Sequence, residues 1–593
     1  MSARNLRWNL VFGGFLFILF AAVHLPAQYA VDVHNAIYDD LSLWEGAGYT
    51  RQPPLMRPYS EPVLKRMLQD VVARGDIASR AKAQEYLERL DGSLDVGVEV
   101  VQINRFRDDE YNGKGGLGLS MQGSFSDNLY YAGGISGWLL DAENDGLLPR
   151  YQRPIYDILE DNAKITVQGR DIDTLMQVLS GVTIGTERVA LRGALSRSSF
   201  GPFHDDSVVI SGDAPQTANF TFTFEHGPFR YEAALMSLRA QSLYQSIDSR
   251  EEMEEATKIY QSSEDQDLAY YILDATSIYD KEGPGKYLHL QTYTYRPTDR
   301  LTFSIIESVV FGPVFQAGYL VPFKFLFVAQ GLTSFADNSF LGIAAEYRPA
   351  PRVRVPFVLY VDDANFNSLV RFNFDTKMNL AGQTGVVWTP LRYGIQQIAL
   401  DYTAITPYVY AHDGPGMYEP DFNYTNYVHG KTSLGSALEP NSDRIALRVK
   451  TRPVPRLGVN FVGRFIRHAN ASEGVLDGYG NDGSIYDDGR KYDFVEPDDD
   501  STIAYYDQGG ASYQNELRFL TQDTIEMTWQ GGMDAEFLIP FDTGMLALQG
   551  DYLFEYIRDP IEYVWDADTL TGSTVANDDE VNHYFAIEVA YRY

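Results

Sequence analysis

Eight short turn signals recur along this chain, and each separates two segments in which apolar and polar residues alternate. They are Ser126-Asp127-Asn128, Gly185-Thr186-Glu187, Glu225-His226-Gly227-Pro228, Arg296-Pro297-Thr298-Asp299, Arg348-Pro349-Ala350-Pro351, Thr389-Pro390-Leu391-Arg392, Arg452-Pro453-Val454-Pro455 and Pro540-Phe541-Asp542-Thr543-Gly544. Pro, Gly, Asp and Asn supply the dihedrals of tight turns. Alternation of period two puts successive side chains on opposite faces of a strand, and it begins with Val96 through Ile103. Longer connections lie between the turns, around 141–172, 239–284, 405–440, 469–512 and 559–582. Short turns alternating with long loops is the pattern of an antiparallel membrane barrel, with turns periplasmic and loops outside. Eight turns with a strand on either side of each long loop predict an all-β transmembrane barrel of about 18 antiparallel strands and nine external loops.

Both ends of the chain fit that reading. The last segment places Phe585, Ile587, Val589, Tyr591 and Tyr593 on one face, so a terminal aromatic closes the wall. At the other end, Arg4 and Arg7 precede an apolar run from Leu10 to Val23, and Leu25-Pro26-Ala27 offers a cleavage site. That run is too short to cross a hydrocarbon core of ~30 Å comfortably and reads as a signal peptide over residues 1–27. No later stretch approaches the ~20 apolar residues of a membrane helix, and the mean hydropathy of −0.25 excludes a polytopic helical transporter. A barrel needs only every second wall residue apolar, and the 41 Tyr and 50 Gly suit one. The 593 residues exceed what one ordinary core organises, so a single large barrel or several domains are required.

Residues 28–92 read as helical, a small periplasmic plug domain ahead of a barrel over 93–593. Val33, Ile37, Leu41 and Trp44 share a helical face and Gly46 and Gly48 stop it. Ser60 is a predicted N-cap for a helix burying Val63, Met67 and Val71, and a third helix runs from Ser79 towards Leu90, ending at Gly92. Such short amphipathic helices need a partner surface, which a barrel mouth supplies.

Chemistry is sparse. The chain has no Cys, which removes disulfides, thiolate catalysis, thiolate zinc sites and a Cys lipid anchor. Its net charge of −33 repels phosphate backbones, so nucleic acid is excluded as a partner. Neither Gly-x-Ser-x-Gly nor His-Glu-x-x-His occurs, and the nine His are scattered, so no enzyme activity is expected. Gly113-Lys114-Gly115-Gly116 is a fragment of a phosphate loop without the rest of that motif and reads as a hairpin tip. Asp477, Asn481, Asp482 and Asp487 form an acidic, Gly-rich stretch, either a solvated loop or a weak Ca2+ site ordering 469–512; Tyr479 stands where a calcium loop needs Asp or Asn. Otherwise no cofactor is expected. Tyr408, Tyr410, Tyr418, Tyr424, Tyr427, Tyr486, Tyr492, Tyr505 and Tyr506 sit among Asp and Asn in the long connections. Aromatic faces beside carboxylates and amides suit sugars, and an interfacial aromatic girdle is the other use for such residues.

Several motifs, in order, resemble the Wzi-type capsule-assembly family of outer-membrane proteins. They are Ser198-Ser199-Phe200-Gly201-Pro202-Phe203-His204-Asp205-Asp206-Ser207, Ile210-Ser211 through Ala214-Pro215, Glu307-Ser308 with Phe311-Gly312, Tyr360 through Asp362-Asp363, Asp401-Tyr402-Thr403 with Pro407-Tyr408-Val409-Tyr410, Asn426-Tyr427-Val428-His429-Gly430 with Leu434-Gly435, and Pro440-Asn441-Ser442-Asp443. Ser198-Ser199-Phe200 departs from the aromatics that the family often carries before its Gly-Pro, which marks a divergent branch. The resemblance implies an 18-stranded barrel with a helical plug, whose outer loops bind capsular polysaccharide or exopolysaccharide without cutting it. The C-terminal aromatic at Tyr593 resembles the signal recognised by the barrel-assembly machinery, which would insert the chain into outer-membrane lipid. The expected glycan-binding surface is built from loops 196–217, 405–440 and 469–512, with Asp205, Asp206, Tyr408, Tyr410, His429, Asn441 and Asp443 as candidate contacts and Gly201-Pro202 shaping the first loop. A channel for small solutes or lipids is the alternative, and a hydrolase the third class.

Overall fold

The computed structural model describes residues 32–92, 94–107, 110–141, 147–153, 163–167, 170–242, 285–331, 337–364, 378–391, 394–407, 409–410, 422–430, 432–469, 519–521, 525–541, 544–566 and 571–592. Eighteen strands close into one antiparallel barrel. In chain order these are β1 (Asp95–Arg107), β2 (Glu110–Ser126), β3 (Leu129–Asp141), β4 (Arg170–Gly185), β5 (Val189–Ser196), β6 (Thr217–His226), β7 (Phe229–Arg239), β8 (Gly285–Thr298) and β9 (Leu301–Phe311). The ring continues with β10 (Asn338–Ala350), β11 (Val353–Ala364), β12 (Met378–Trp388), β13 (Ile395–Ile405), β14 (Ser442–Val454), β15 (Leu457–Ala469), β16 (Ile525–Phe541), β17 (Gly544–Arg558) and β18 (Glu580–Arg592). β18 returns to β1 with Glu99 opposite Arg592 and Arg107 opposite Tyr584, so the sheet has no free edge. All eight predicted turns join neighbouring strands at one end, and nine longer or shorter connections lie at the other.

Alternation sets the chemistry of the two wall faces. On β18, Phe585 and Ile587 are exposed while Asn582, Tyr584 and Ala590 are buried; Tyr593 lies outside the described residues. Leu119, Ile135, Val182, Phe220, Leu341, Val386, Leu400, Leu447 and Phe461 extend the exposed apolar face round the ring. Aromatics border it at both ends: Tyr295, Tyr347, Trp388 and Phe541 near the turns, Tyr402, Phe465, Trp529 and Tyr556 near the loops, with Trp529 stacked on Tyr556 at 5.4 Å. An apolar belt between aromatic girdles is the outer surface that a bilayer requires of a barrel. No described helix is long and apolar enough to cross one.

Gly113-Lys114-Gly115-Gly116 is not a hairpin tip. It lies inside β2, with Gly113 opposite Asn104 and Gly116 opposite Val101. Glycine here supplies clearance instead of turn dihedrals: a Cβ on Gly116 would meet the Trp138 ring at 2.5 Å.

Three helices precede the wall: α1 (Ala36–Ala47), α2 (Glu61–Arg74) and α3 (Ile77–Asp91). α1 ends on Gly48, whose φ of 82° is the left-handed cap that glycine adopts without strain. Ser60 caps α2 by position. α3 starts two residues before the expected Ser79, because Asp76 is its cap and accepts from the Ser79 N–H at 2.8 Å. Ile37, Leu41, Trp44, Val63, Met67, Val71, Tyr86 and Leu87 form their common core.

Charged residues around that core reach the inner wall at several points near the turns. Lys65 meets Tyr130 of β3 at 3.4 Å, Arg66 meets Glu225 of β6 at 3.1 Å, and Asp39 meets Lys450 of β14 at 2.8 Å. Glu45 is buried between Arg348 of β10 and Arg354 of β11. These contacts spread round the ring, so the helices lie across the turn-end mouth.

Candidate functional site

One half of the lumen is filled. The β5–β6 connection turns inwards, and Ser199–Phe200 pairs with Met56–Arg57 ahead of α2. Its Ser211 N–H donates to the Leu434 carbonyl at 2.8 Å, which joins it to the β13–β14 connection. Phe200, Val208, Val209, Ile210, Leu434 and Leu438 then pack on the inner faces of β7–β13, against Met236, Leu288, Ile306, Phe340, Val358 and Ala381. A third segment, 147–153, locks these loops in place. Arg153 donates to the carbonyls of Ser433 and Gly435 at 2.8 and 2.9 Å. Arg150 is ion-paired to the buried Glu526 of β16, the Tyr151 hydroxyl donates to that carboxylate at 2.8 Å, and the Arg150 N–H donates to Glu555 of β17 at 3.1 Å.

The candidate contacts divide by position. Asp205 is exposed in a 3-10 turn. Asp206 beside it is engaged internally: its carboxylate accepts from Ser436 Oγ at 2.7 Å and the Ala437 N–H at 2.8 Å, and pairs with Arg444 of β14. Burial raises its pKa, but Arg444 and these two donors outweigh burial and hold the carboxyl far below the usual range. Tyr410 is buried, stacks on Tyr427 with centroids 5.6 Å apart, and donates its hydroxyl to the Val208 carbonyl at 2.6 Å; burial and then Tyr427 raise its pKa well above the ordinary value. Tyr424 and Tyr427 are buried as well. Asn441 is buried and bridges the Ala469 carbonyl and the Leu520 N–H, both at 2.9 Å. These residues hold the loops together; Tyr410, Tyr424, Tyr427 and Asn441 present almost no surface in this conformation, and Asp206 little. His429 is half-buried in a two-residue strand opposite Thr432. Gly201-Pro202 is a cis bond at the inward bend.

Asp443 is not in the loop cluster. It lies on the outward face of β14, on the same side as the exposed Ile445 and Leu447, paired to Arg467 with Nε–Oδ1 at 2.9 Å and accepting from the Tyr402 hydroxyl at 3.0 Å. It belongs to the loop-end girdle, because β14 begins at Ser442 and alternation then turns residue 443 outwards. Tyr408, Asp477, Asn481, Asp482 and Asp487, and the Tyr residues at 418, 486, 492, 505 and 506, lie outside the described residues. So do residues 1–31 with the expected signal peptide. Among the described residues no group of three metal-ligating side chains occurs.

The other half of the lumen is open to water. On β1 and β14–β18 the inward-facing Glu99, Arg448, Lys450, Glu536 and Arg592 keep between 28% and 45% of their side-chain surface exposed. Inside a closed wall that exposure requires solvent-accessible space. Asn460 donates to Asp534 at 2.6 Å, with Asp551 opposite Asp534 on the next strand, and Arg464 donates to Gln530 at 2.9 Å. From the loop side, Asp213 stands 3.6 Å from His34; burial raises its carboxyl pKa, His34 opposes that, and the nearby Asp206 and Asp205 reinforce it. Enclosure by the wall opposes ionisation of Asp39, whose own side chain is exposed, but its ion pair with Lys450 outweighs that and lowers the pKa. Carboxylates, guanidinium groups and amides therefore line a polar recess bounded by α1 at the turn end. Alternation carries no sign of this asymmetry, since both halves of the wall alternate alike.

No protein-family model matches the sequence, and comparison with curated protein sequences finds no match. Among solved structures, the outer-membrane protein Wzi of Escherichia coli, described as involved in group 1 capsule assembly and as a carbohydrate-binding β-barrel, superposes with a TM-score of 0.50 at 10% identity, over 95% of this chain and 99% of that one. OprD of Pseudomonas aeruginosa gives a TM-score of 0.40 at 9% identity over 85% of this chain and 94% of that one. Acinetobacter baumannii OccAB2 gives 0.40 at 11% identity over 85% and 99%. At such identities the likeness is one of fold: the closed β-barrel of this chain is similar to that of Wzi over nearly the whole length of both.

Proposed function

We propose that this chain is an outer-membrane barrel that binds a capsular polysaccharide or exopolysaccharide and helps attach it at the cell surface. The observation that carries the reading is the closed, one-sided lumen: apolar loops fill one half, helices cross the turn-end mouth, and the remainder is a polar recess. Such a recess presents many hydrogen-bonding groups to a hydroxyl-rich chain and gives it no clear way through. The likeness of the whole chain to a carbohydrate-binding barrel supports the same assignment. In this reading the turns and helices face the periplasm, the nine loops face outwards, and the barrel-assembly machinery inserts the chain after its signal peptide is removed. The protein holds polymer and does not cleave it, and the acidic 469–512 loop is a candidate for Ca2+ ordering. The test is a deletion strain: polymer is secreted normally into the medium but lost from the cells. Unchanged cell-attached polymer refutes the proposal, and release of shortened polymer by purified protein makes it a hydrolase.

The water-accessible half of the lumen favours a second reading, a channel for small solutes. Purified protein in planar bilayers then carries a large steady current with the helices in place, whereas the binding reading expects a closed barrel.

A further inference from the structure

The β9–β10 connection lies against the outside of the wall. On β8 and β9 the even-numbered residues point inwards: Leu288, Leu290, Ile306 and Val310 belong to the lumenal core, and Lys286 donates to the Asn426 carbonyl. Alternation sends Gln291 and Glu307 outwards, and Glu307 stands opposite Leu341 of β10, which is 54% exposed on the lipid-facing side. A carboxylate and an amide at mid-wall are poor lipid contacts, yet Gln291 and Glu307 are only 0% and 5% exposed.

Residues 312–331 cover them. Gln291 Nε2 and the Tyr293 hydroxyl both donate to the Lys324 carbonyl, the latter at 2.7 Å, and the Leu326 N–H donates to Glu307 at 3.4 Å. Gln291 also donates to Glu307 at 2.7 Å and accepts from the Tyr231 hydroxyl at 2.9 Å. Apolar contacts run the length of the segment, from Phe315 against Phe311 and Tyr287 down to Phe323, whose ring is 4.4 Å from that of Tyr231. Tyr231 aligns through Tyr293 with Ile305, six residues below Phe311. Six residues along a strand span about 20 Å, or about 15 Å of depth at a tilt of ~40°. The segment therefore reaches far into an apolar band ~25 Å tall.

Irregular backbone at that depth survives only where its polar groups are satisfied. Here wall residues pair with the Lys324 carbonyl and the Leu326 N–H between the two short helical turns, which gives Gln291, Tyr293 and Glu307 a use at outward positions. The opposite surface of the segment is apolar: Val314, Phe315, Leu320, Val321, Phe323, Phe325 and Val328 are all exposed, level with Phe303, Leu341 and Phe220 on the bare wall. So many contiguous apolar side chains are not left in water.

We propose that residues 312–331 form an external flap embedded in the bilayer, with its outer face against lipid acyl chains and its inner face hydrogen-bonded to the wall. The inference rests on the wall being membrane-spanning and holds whichever function the lumen serves. The chain has no Cys, so Phe323→Cys, Val328→Cys, Leu341→Cys and Asp205→Cys each take one nitroxide label in the full-length protein reconstituted into phosphatidylcholine vesicles. Collision rates with oxygen and with a water-soluble nickel chelate then report the environment. The expected result is several-fold higher oxygen than nickel accessibility at Phe323 and Val328, matching Leu341 and opposite to Asp205. Nickel-dominated collisions at both flap positions overturn the proposal, as does low accessibility to both reagents, which would mean cover by a second copy or another protein. If Leu341 itself reports water, the membrane-spanning reading fails and the flap proposal with it; if Leu341 reports lipid and the flap does not, only the flap proposal fails. Adding Gln291→Ala to the Val328→Cys protein should narrow the spectrum of the label while that of Leu341→Cys stays unchanged.

Discussion

Replacing Asp206 by Ala removes the carboxylate on which the inward-folded loops converge. Its three partners come from two places: Arg444 from the wall, and the Ser436 hydroxyl and Ala437 N–H from the β13–β14 connection. Arg444 keeps 6% and Asp206 16% of its side-chain surface exposed, so the pair is largely desolvated. Breaking a buried pair by deleting one partner costs about 3–5 kcal/mol. Asp401 remains 3.8 Å from Arg444, which places the expected cost at the lower end, about 3 kcal/mol, or roughly a 100-fold rise in local opening. Hydrogen exchange of the Val208 and Ala437 amides in detergent micelles measures it, with Asp205→Ala as the exposed control. A change below about 1 kcal/mol, or equal effects of the two substitutions, refutes the assignment of Asp206 as the anchor. The pH dependence has a definite sign. A carboxyl whose folded pKa is depressed contributes stability above its unfolded value of about 3.9 and loses it as pH falls towards the folded one. Loop protection should therefore stay level from neutral pH down to about 4 and fall below that, and Asp206→Asn should flatten the acid limb.

Three other perturbations test separate parts of the structure. Gly116→Ala drives a methyl into the Trp138 ring and should cost about 1–3 kcal/mol in urea unfolding; an unchanged midpoint would show that the β2–β3 wall yields freely. Asp443→Ala removes a buried carboxylate from its girdle pair with the partly exposed Arg467, so it should leave polymer retention intact and cost about 1–3 kcal/mol; loss of retention would return Asp443 to the binding surface. Glu45→Ala removes the helix partner of Arg348 and Arg354, two wall residues that keep Glu346 between them, and should raise conductance in planar bilayers above that of the intact protein. Equal currents would mean that α1 does not restrain the mouth.

Period-two alternation and turn chemistry are local properties, which is why the strand count, the eight turns and the face of β18 could all be read from residues such as Pro455, Asn128 and Ile587. The lumen could not. Val208, Val209 and Ile210 form an apolar run with no period, and it is buried by wall residues scattered along the chain, from Met236 to Gln383. Asp206 and Asp205 are adjacent and chemically identical, yet one meets Arg444 and the other meets solvent. Asp443 enters the candidate set through the Pro440-Asn441-Ser442-Asp443 resemblance, which carries no register; Asn441, at φ 61°, precedes β14, and Asp443 falls on the outward face of that strand. Gly113-Lys114-Gly115-Gly116 failed for a related reason, since glycine serves close packing and turning equally well.

The two closures of the barrel are joined through backbone. Met56–Arg57 leads into α2 and pairs with Ser199–Phe200, the Gly201 N–H donates to the Leu55 carbonyl at 2.6 Å, and Glu232 of β7 accepts from the Leu55 and Met56 N–H groups at 3.1 and 3.2 Å. Ser199 Oγ and His204 Nδ1 are 3.0 Å apart, and burial, with Arg57 and Arg354 nearby, lowers the His204 pKa well below the ordinary value. The imidazole is therefore neutral at physiological pH, and acidification that would charge it opposes the same packing. A loop-end ligand that changes the packing of 197–216 acts on the segment that positions the helices, and displacement of the helices acts on the loop. Coupling of this kind is reciprocal: if polymer binding favours the closed mouth by some coupling free energy, closure of the mouth favours polymer binding by the same amount. Binding and closure are then two readings of one lumenal column, and a lectin on this scaffold need not be an open pore to have a lumen.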